Sequence, residues 1–225
     1  MSARQSALRA ALSFRTPLSV TESMDMRVHY SGYFINLLAA TELFIETTTL
    51  QPNNFKEQLH LRLVFDGYQD GVANYSYIRE LRNAVVHRGL DITSDAHIDG
   101  NFPMILAVPR VQDRNGKKTY STFDKYLLDV INKCESVIGA VMLDCLNDAG
   151  IFEANIDPDA AVIEYRKSVE QSHSMPNEVK AMFLANEFKP EWAVATHSAA
   201  MKKLREVLAA CIATRPSSLE TSNAR

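Results

Sequence analysis

Apolar residues recur at three- and four-residue steps through Tyr30, Tyr33, Phe34, Leu37, Thr41, Phe44 and Ile45. That helical period predicts a first long helix over 22–49, with Thr21 as its N-cap. Pro52 and Asn53 break the pattern and start a second helix through Phe55, Leu59 and Leu63, which Asp66-Gly67 closes. A third helix runs from about 72 to 87, with Ile78, Leu81 and Val85 facing inward and Gly89 just past its end. The stretch 91–100 is polar. The β-prone runs 104–108 and 119–123 then flank Asp113-Arg114-Asn115-Gly116-Lys117-Lys118, and an Asn-Gly pair between such runs predicts a hairpin near 103–122.

Helical period returns over 122–148 in Phe123, Leu127, Val130, Cys134, Val137, Val141 and Cys145, and Gly150 ends it. Three shorter helices follow over 158–173, 176–188 and 191–213, punctuated by Asp157, Ser174 and Pro190. The predicted fold class is therefore mainly α. An N-terminal segment (1–21) precedes a helical bundle with a short β-hairpin insertion (22–150). A helical C-terminal subdomain (151–215) and a polar, disordered tail (216–225) complete the chain.

Composition narrows the function classes. With 46% hydrophobic and 23% charged residues, the 225-residue chain can bury a full core. A formal net charge of −3 means that any nucleic-acid contact must come from a local basic patch. The three cysteines, Cys134, Cys145 and Cys211, form no CxxC pair, and they read as buried free thiols in a reducing cytoplasm. No apolar run approaches the roughly 20 residues that span a bilayer. Arg4, Arg9 and Arg15 give the first twenty residues a basic character loosely like a transit peptide. The absence of a cleavage signal or hydrophobic stretch favours a frayed or docking segment. Neither P-loop, Rossmann glycine pattern, HExxH nor GxSxG occurs, and no cofactor or metal is expected.

Candidate chemistry concentrates in the third helix, in Arg79-Glu80-Leu81-Arg82-Asn83-Ala84-Val85-Val86-His87-Arg88-Gly89. Arg79, Asn83 and His87 stand at i, i+4 and i+8 on one face, with Arg82 one position away from it. Arg82, Asn83 and His87 are the candidate site residues, with Arg79, Arg88, Arg114, Lys117, Lys118 and Tyr120 as a basic and aromatic surround. Arg110 adds to the same basic hairpin.

With four residues between the arginine and the histidine, Arg82-Asn83-x3-His87 resembles the motif of the HEPN superfamily. The helix order extends the resemblance over about 22–148. It implies a four-helix bundle acting as a metal-independent endoribonuclease, in which a ribose 2′-OH attacks the adjacent phosphate. In that chemistry an imidazole, which titrates near neutrality, moves a proton while arginine stabilises the phosphate oxygens. On this resemblance Arg82, Asn83 and His87 are the candidate catalytic residues, and Arg79, Arg88, Arg114, Lys117, Lys118 and Tyr120 are candidate RNA contacts, the tyrosine by stacking on a base. The resemblance further implies a homodimer, an antitoxin or defence-complex partner and a toxin or antiviral role. The position two residues after the histidine is Gly89, so the modifiable tyrosine of one toxin subgroup has no counterpart here.

Each signal also has a plainer reading. A histidine and an arginine in the last turn of a helix complement its dipole, and glycine is an ordinary C-cap. Basic residues at a hairpin tip can be a solvated turn. Asp91, Asp95, His97 and Asp99 cluster closely enough to suggest a metal, yet lack the EF-hand pattern and fit a polar loop. The alternative to a nuclease is a non-catalytic nucleotide-binding or dimerisation module of a larger complex.

Overall fold

A computed structural model of the chain describes residues 1–46, 55–186, 188–210 and 213. It is mainly helical, with eight helices and two small hairpins among the described residues. In chain order these are α1 (Ser2–Ala11), α2 (Val20–Glu46), α3 (Phe55–Arg62), α4 (Gly71–Arg88), β1 (Ala96–Asp99), β2 (Phe102–Ile105), β3 (Arg110–Gln112), β4 (Thr119–Ser121), α5 (Leu127–Asp148), α6 (Pro158–Gln171), α7 (Asn177–Ala185) and α8 (Pro190–Leu208). The chain divides into two compact units, residues 1–149 with 208–225, and residues 150–207. None of the helices is long and apolar enough to cross a membrane, among the described residues.

The first unit is built on α2, α4 and α5, whose apolar stripes supply Tyr33, Phe34, Leu37, Ile78, Leu81, Leu127, Val130, Ile131 and Ile138, all essentially inaccessible to solvent. Helix α3 packs against α2, α4 and α5, and α1 lies along α2. The start of α2 is set by Ser19 rather than Thr21. The Ser19 N–H donates to Glu22 Oε2 (2.8 Å) and the Glu22 N–H donates to Ser19 Oγ (3.2 Å), a reciprocal capping box that leaves Thr21 inside the helix. Pro52 and Asn53 lie outside the described residues, as do Cys211 and the expected disordered tail.

A hairpin does form around Asn115-Gly116, as β3 and β4, but the expected strand bounds need correction. The 104–108 run does not pair with 119–123. Phe102–Ile105 pairs instead with the polar segment Ala96–Asp99, in the register Ala96 opposite Ile105 and Asp99 opposite Phe102. Pro109 separates that strand from β3, which pairs with β4 as Arg110 opposite Ser121 and Gln112 opposite Thr119. Pro109 lacks an N–H to donate, though its carbonyl accepts the Thr122 N–H at 3.0 Å, and two hairpins stand where one was expected. The fifth helix begins at Leu127, not 122. Phe123 is fully buried but precedes the helix, and its spacing mimics the helical period. The expected helix 191–213 ends at Leu208. Ala213 beyond it is held to α5, donating its N–H to Asn132 Oδ1 (2.8 Å) and accepting from Asn132 Nδ2 (3.1 Å).

The N-terminal segment docks as a helix through a buried charge. Arg4, 0% exposed, donates from Nε and Nη2 to the two carboxylate oxygens of Glu135 at 2.7 and 2.8 Å. Tyr33 Oη donates to the same carboxylate at 2.8 Å, and burial raises that hydroxyl's pKa well above its ordinary value. A bidentate pair with a third donor compensates the desolvation of both ions, whereas either ion alone would be strongly unfavourable. Glu135→Leu therefore should lower unfolding stability by about 3–5 kcal/mol in urea titration. A change within the range of a surface substitution would contradict the pairing.

Candidate functional site

The site grows from the two ends of α4. At its start, Asp70 caps the helix, its Oδ1 accepting the Ala73 N–H at 2.9 Å. Gly71 lies so close to α3 that a Cβ there would stand 1.8 Å from the His60 carbonyl oxygen, so only glycine permits this crossing. Buried Asn74 donates to the carbonyls of Leu63 and Tyr68, both at 2.9 Å, and fixes the α3–α4 turn. At its end, Gly89 adopts a left-handed conformation (φ 68°), and the Leu90 N–H returns to the Ala84 carbonyl at 3.1 Å. The last turn of α4, bearing Asn83, His87 and Arg88, is thus held in place from both sides.

Arg88 ties that turn to the second hairpin. Its Nη1 donates to the carbonyls of Gln112 (2.8 Å) and Asp113 (3.4 Å), and its Nη2 to the carbonyl of Glu80 (3.1 Å). This bridge carries the β3–β4 turn to the end of α4. Between them opens a cavity of about 550 Å³ lined by Glu80, Asn83, His87, Arg88 and Arg114. His87 and Arg114 are exposed at its mouth, while Glu80 is 5% exposed. The Glu80 carboxylate accepts from Asn83 Nδ2 and from Arg79 Nε, each at 3.3 Å.

Four of the residues singled out from sequence, Asn83, His87, Arg88 and Arg114, therefore meet in one cavity. Arg82 does not line it. Five residues of helix rotate the chain by roughly 500°, which sets Arg82 about 140° from His87 around the axis. Its guanidinium pairs with Glu42 of α2 through Nη2, and its buried Nε has no hydrogen-bond partner. Arg79 stays exposed beside Glu80, and Lys117 and Lys118 are exposed in the turn. Tyr120 stands opposite the buried Val111 and is partly covered.

Glu80 is the residue that sequence reasoning missed. Its signal was present, since Glu80, Asn83 and His87 are spaced i, i+3 and i+7, and seven residues return to within about 20° of the same azimuth. Asp91 accepts from the Thr93 N–H (2.9 Å) and hydroxyl (2.7 Å) and lies 3.7 Å from Arg27, while His97 and Asp99 belong to β1. No group of three or more His, Cys, Asp or Glu side chains placed to hold a metal occurs among the described residues.

No family model matches the chain, and no match emerges among curated proteins or solved structures. The chemistry of the cavity thus rests on its geometry.

That geometry makes Arg88 the strut of the site. Arg88→Ala should leave the helical core folded but speed amide exchange across β3 and β4 at least about tenfold, as expected when a local anchor is lost. Unchanged exchange there would mean that the hairpin is held by other contacts.

Proposed function

We propose that the chain is a metal-independent endoribonuclease of the HEPN kind, working in the cavity at the end of α4. The observation that carries this reading is the convergence of an imidazole, an amide, two arginines and a buried carboxylate on one concave site. Cleavage by 2′-OH attack asks for that set. The 2′-hydroxyl must lose a proton as its oxygen bonds to phosphorus, and the departing 5′-oxygen must gain one as the phosphorus–oxygen bond breaks. His87 at the mouth can serve one of these transfers. Glu80 supplies a second titratable group within the same protomer. Arg88 and Arg114 face the negative charge that gathers on the phosphate oxygens, and Asn83, held by Glu80, orients the phosphate.

The resemblance carried by Arg82-Asn83-x3-His87 supports the choice of RNA as substrate. It also supports a homodimer and a cytoplasmic toxin or defence role with an antitoxin or larger assembly as partner. In this reading Arg82 is a positioning residue that clamps α4 to α2 through Glu42. The same pairing favours the second reading, a non-catalytic nucleotide-binding or dimerisation module, because the motif arginine is withdrawn from the cavity.

The two readings separate in one assay. RNA incubated with the purified chain in EDTA should be cut to 2′,3′-cyclic phosphate ends, and His87→Ala should slow cutting by about 10²–10⁴-fold without lowering thermal stability. Parental cleavage rates in the variant would remove His87 from the mechanism. Failure of the folded parental chain to cut a broad RNA panel would favour the binding module.

A further inference from the structure

A second groove lies on the other side of Arg88, about 490 Å³ in volume. Its lining mixes the apolar Ala84, Leu90, Val108 and Val111 with the polar Arg88, Arg110, Gln112 and Thr119. Arg88 is the one residue shared by both concavities. Its guanidinium has five N–H donors, and the three carbonyl contacts engage three of them. Those partners are neutral, so they fix the fork without cancelling its charge. Among the described residues no acid forms an ion pair with Arg88, Arg110 or Arg114. Asp113 sits in the same turn, but its carboxylate accepts the Lys117 N–H at 2.8 Å.

We infer that this groove is a subsite for the nucleotide next to the one cleaved, taking a second phosphate of a single RNA strand between Arg88 and Arg110. This rests on the nuclease reading only for the word "cleaved". The binding claim stands on the paired concavities and the shared, pre-fixed guanidinium. A lining that offers both apolar side chains and two guanidinium groups suits a nucleotide, whose sugar and base meet the apolar groups while the phosphodiester meets the arginines. The Thr119 hydroxyl adds a neutral donor at the edge.

The test uses the full chain and two uncleavable 2′-O-methyl probes, a dinucleotide with one internal phosphate and a tetranucleotide with three. Binding is followed by fluorescence anisotropy over a range of KCl. The tetranucleotide should bind more tightly than the dinucleotide. Arg110→Ala should weaken the tetranucleotide about tenfold, flatten its log K against log salt slope by about 0.7, and leave the dinucleotide unchanged. Arg110→Lys should recover part of the loss. Thr119→Glu, a second variant that keeps Arg110, should weaken the tetranucleotide as well. Equal affinity of the two probes, no binding of either, or an Arg110→Ala chain that binds the tetranucleotide like the parent would each overturn the subsite. Cleavage of unmodified RNA is scored separately. Length-dependent binding lost in Arg110→Ala, without any cleavage by the parent, would retain the subsite and remove the nuclease. Normal cleavage with unchanged Arg110→Ala binding would do the reverse.

Discussion

One guanidinium joins the two halves of the candidate site. Arg88 leaves α4 at the point where Gly89 turns the chain left-handed, and it reaches the carbonyls of Gln112 and Asp113 across to the second hairpin. Main-chain carbonyls are good partners for such a strut, since they orient the charge while leaving it electrostatically intact. Beside it His87 and Arg114, both exposed, border a cavity that the buried Glu80 also lines. The placement of α4 itself follows from Gly71 and Asn74 against α3 and from the Arg82–Glu42 pair against α2.

The rest of the first unit supplies rigidity. A fully buried Arg4–Glu135 pair with Tyr33 is unfavourable unless every partner is in place, so α1, α2 and α5 are held in one arrangement or lose substantial stability. Cys134 beside it is buried deeply enough that its thiol is pushed far above its ordinary pKa, which makes it a packing group rather than a nucleophile. A preorganised cavity needs such a frame, because misplacing a reacting group by about 1 Å costs roughly 10²-fold in rate.

Much of this was legible in the residues, and the failures have physical causes. The long helices announce themselves through the spacing of Tyr33, Phe34, Leu37, Ile78 and Leu81, since burial on one face imposes a period. The C-cap at Gly89 was legible for the same kind of reason, a conformation that glycine adopts without cost. The Asn115-Gly116 turn marked the β3–β4 hairpin in the same way, but the β1–β2 pairing was not legible. β1 is exposed along most of its length and carries no apolar alternation, so nothing local marks Ala96–Asp99 as the neighbour of the buried β2. At the site, the histidine, the asparagine and the basic turn could be named in advance. The helix rotation that groups Glu80 with His87 and turns Arg82 away was already in the spacing; what was not legible is that Arg82 pairs with Glu42, 40 residues away in sequence.

The central claim is one of place: the working surface of this chain is the cavity between the end of α4 and the β3–β4 turn. Backbone amide chemical shifts recorded during titration with an RNA oligonucleotide carrying one 2′-deoxy position, which blocks cleavage there, test that claim most directly. Saturable shifts centred on Asn83, His87, Arg88 and Arg114, with the α6–α8 residues unmoved, are the predicted result. Shifts centred on the second unit, or none up to millimolar oligonucleotide, would contradict it.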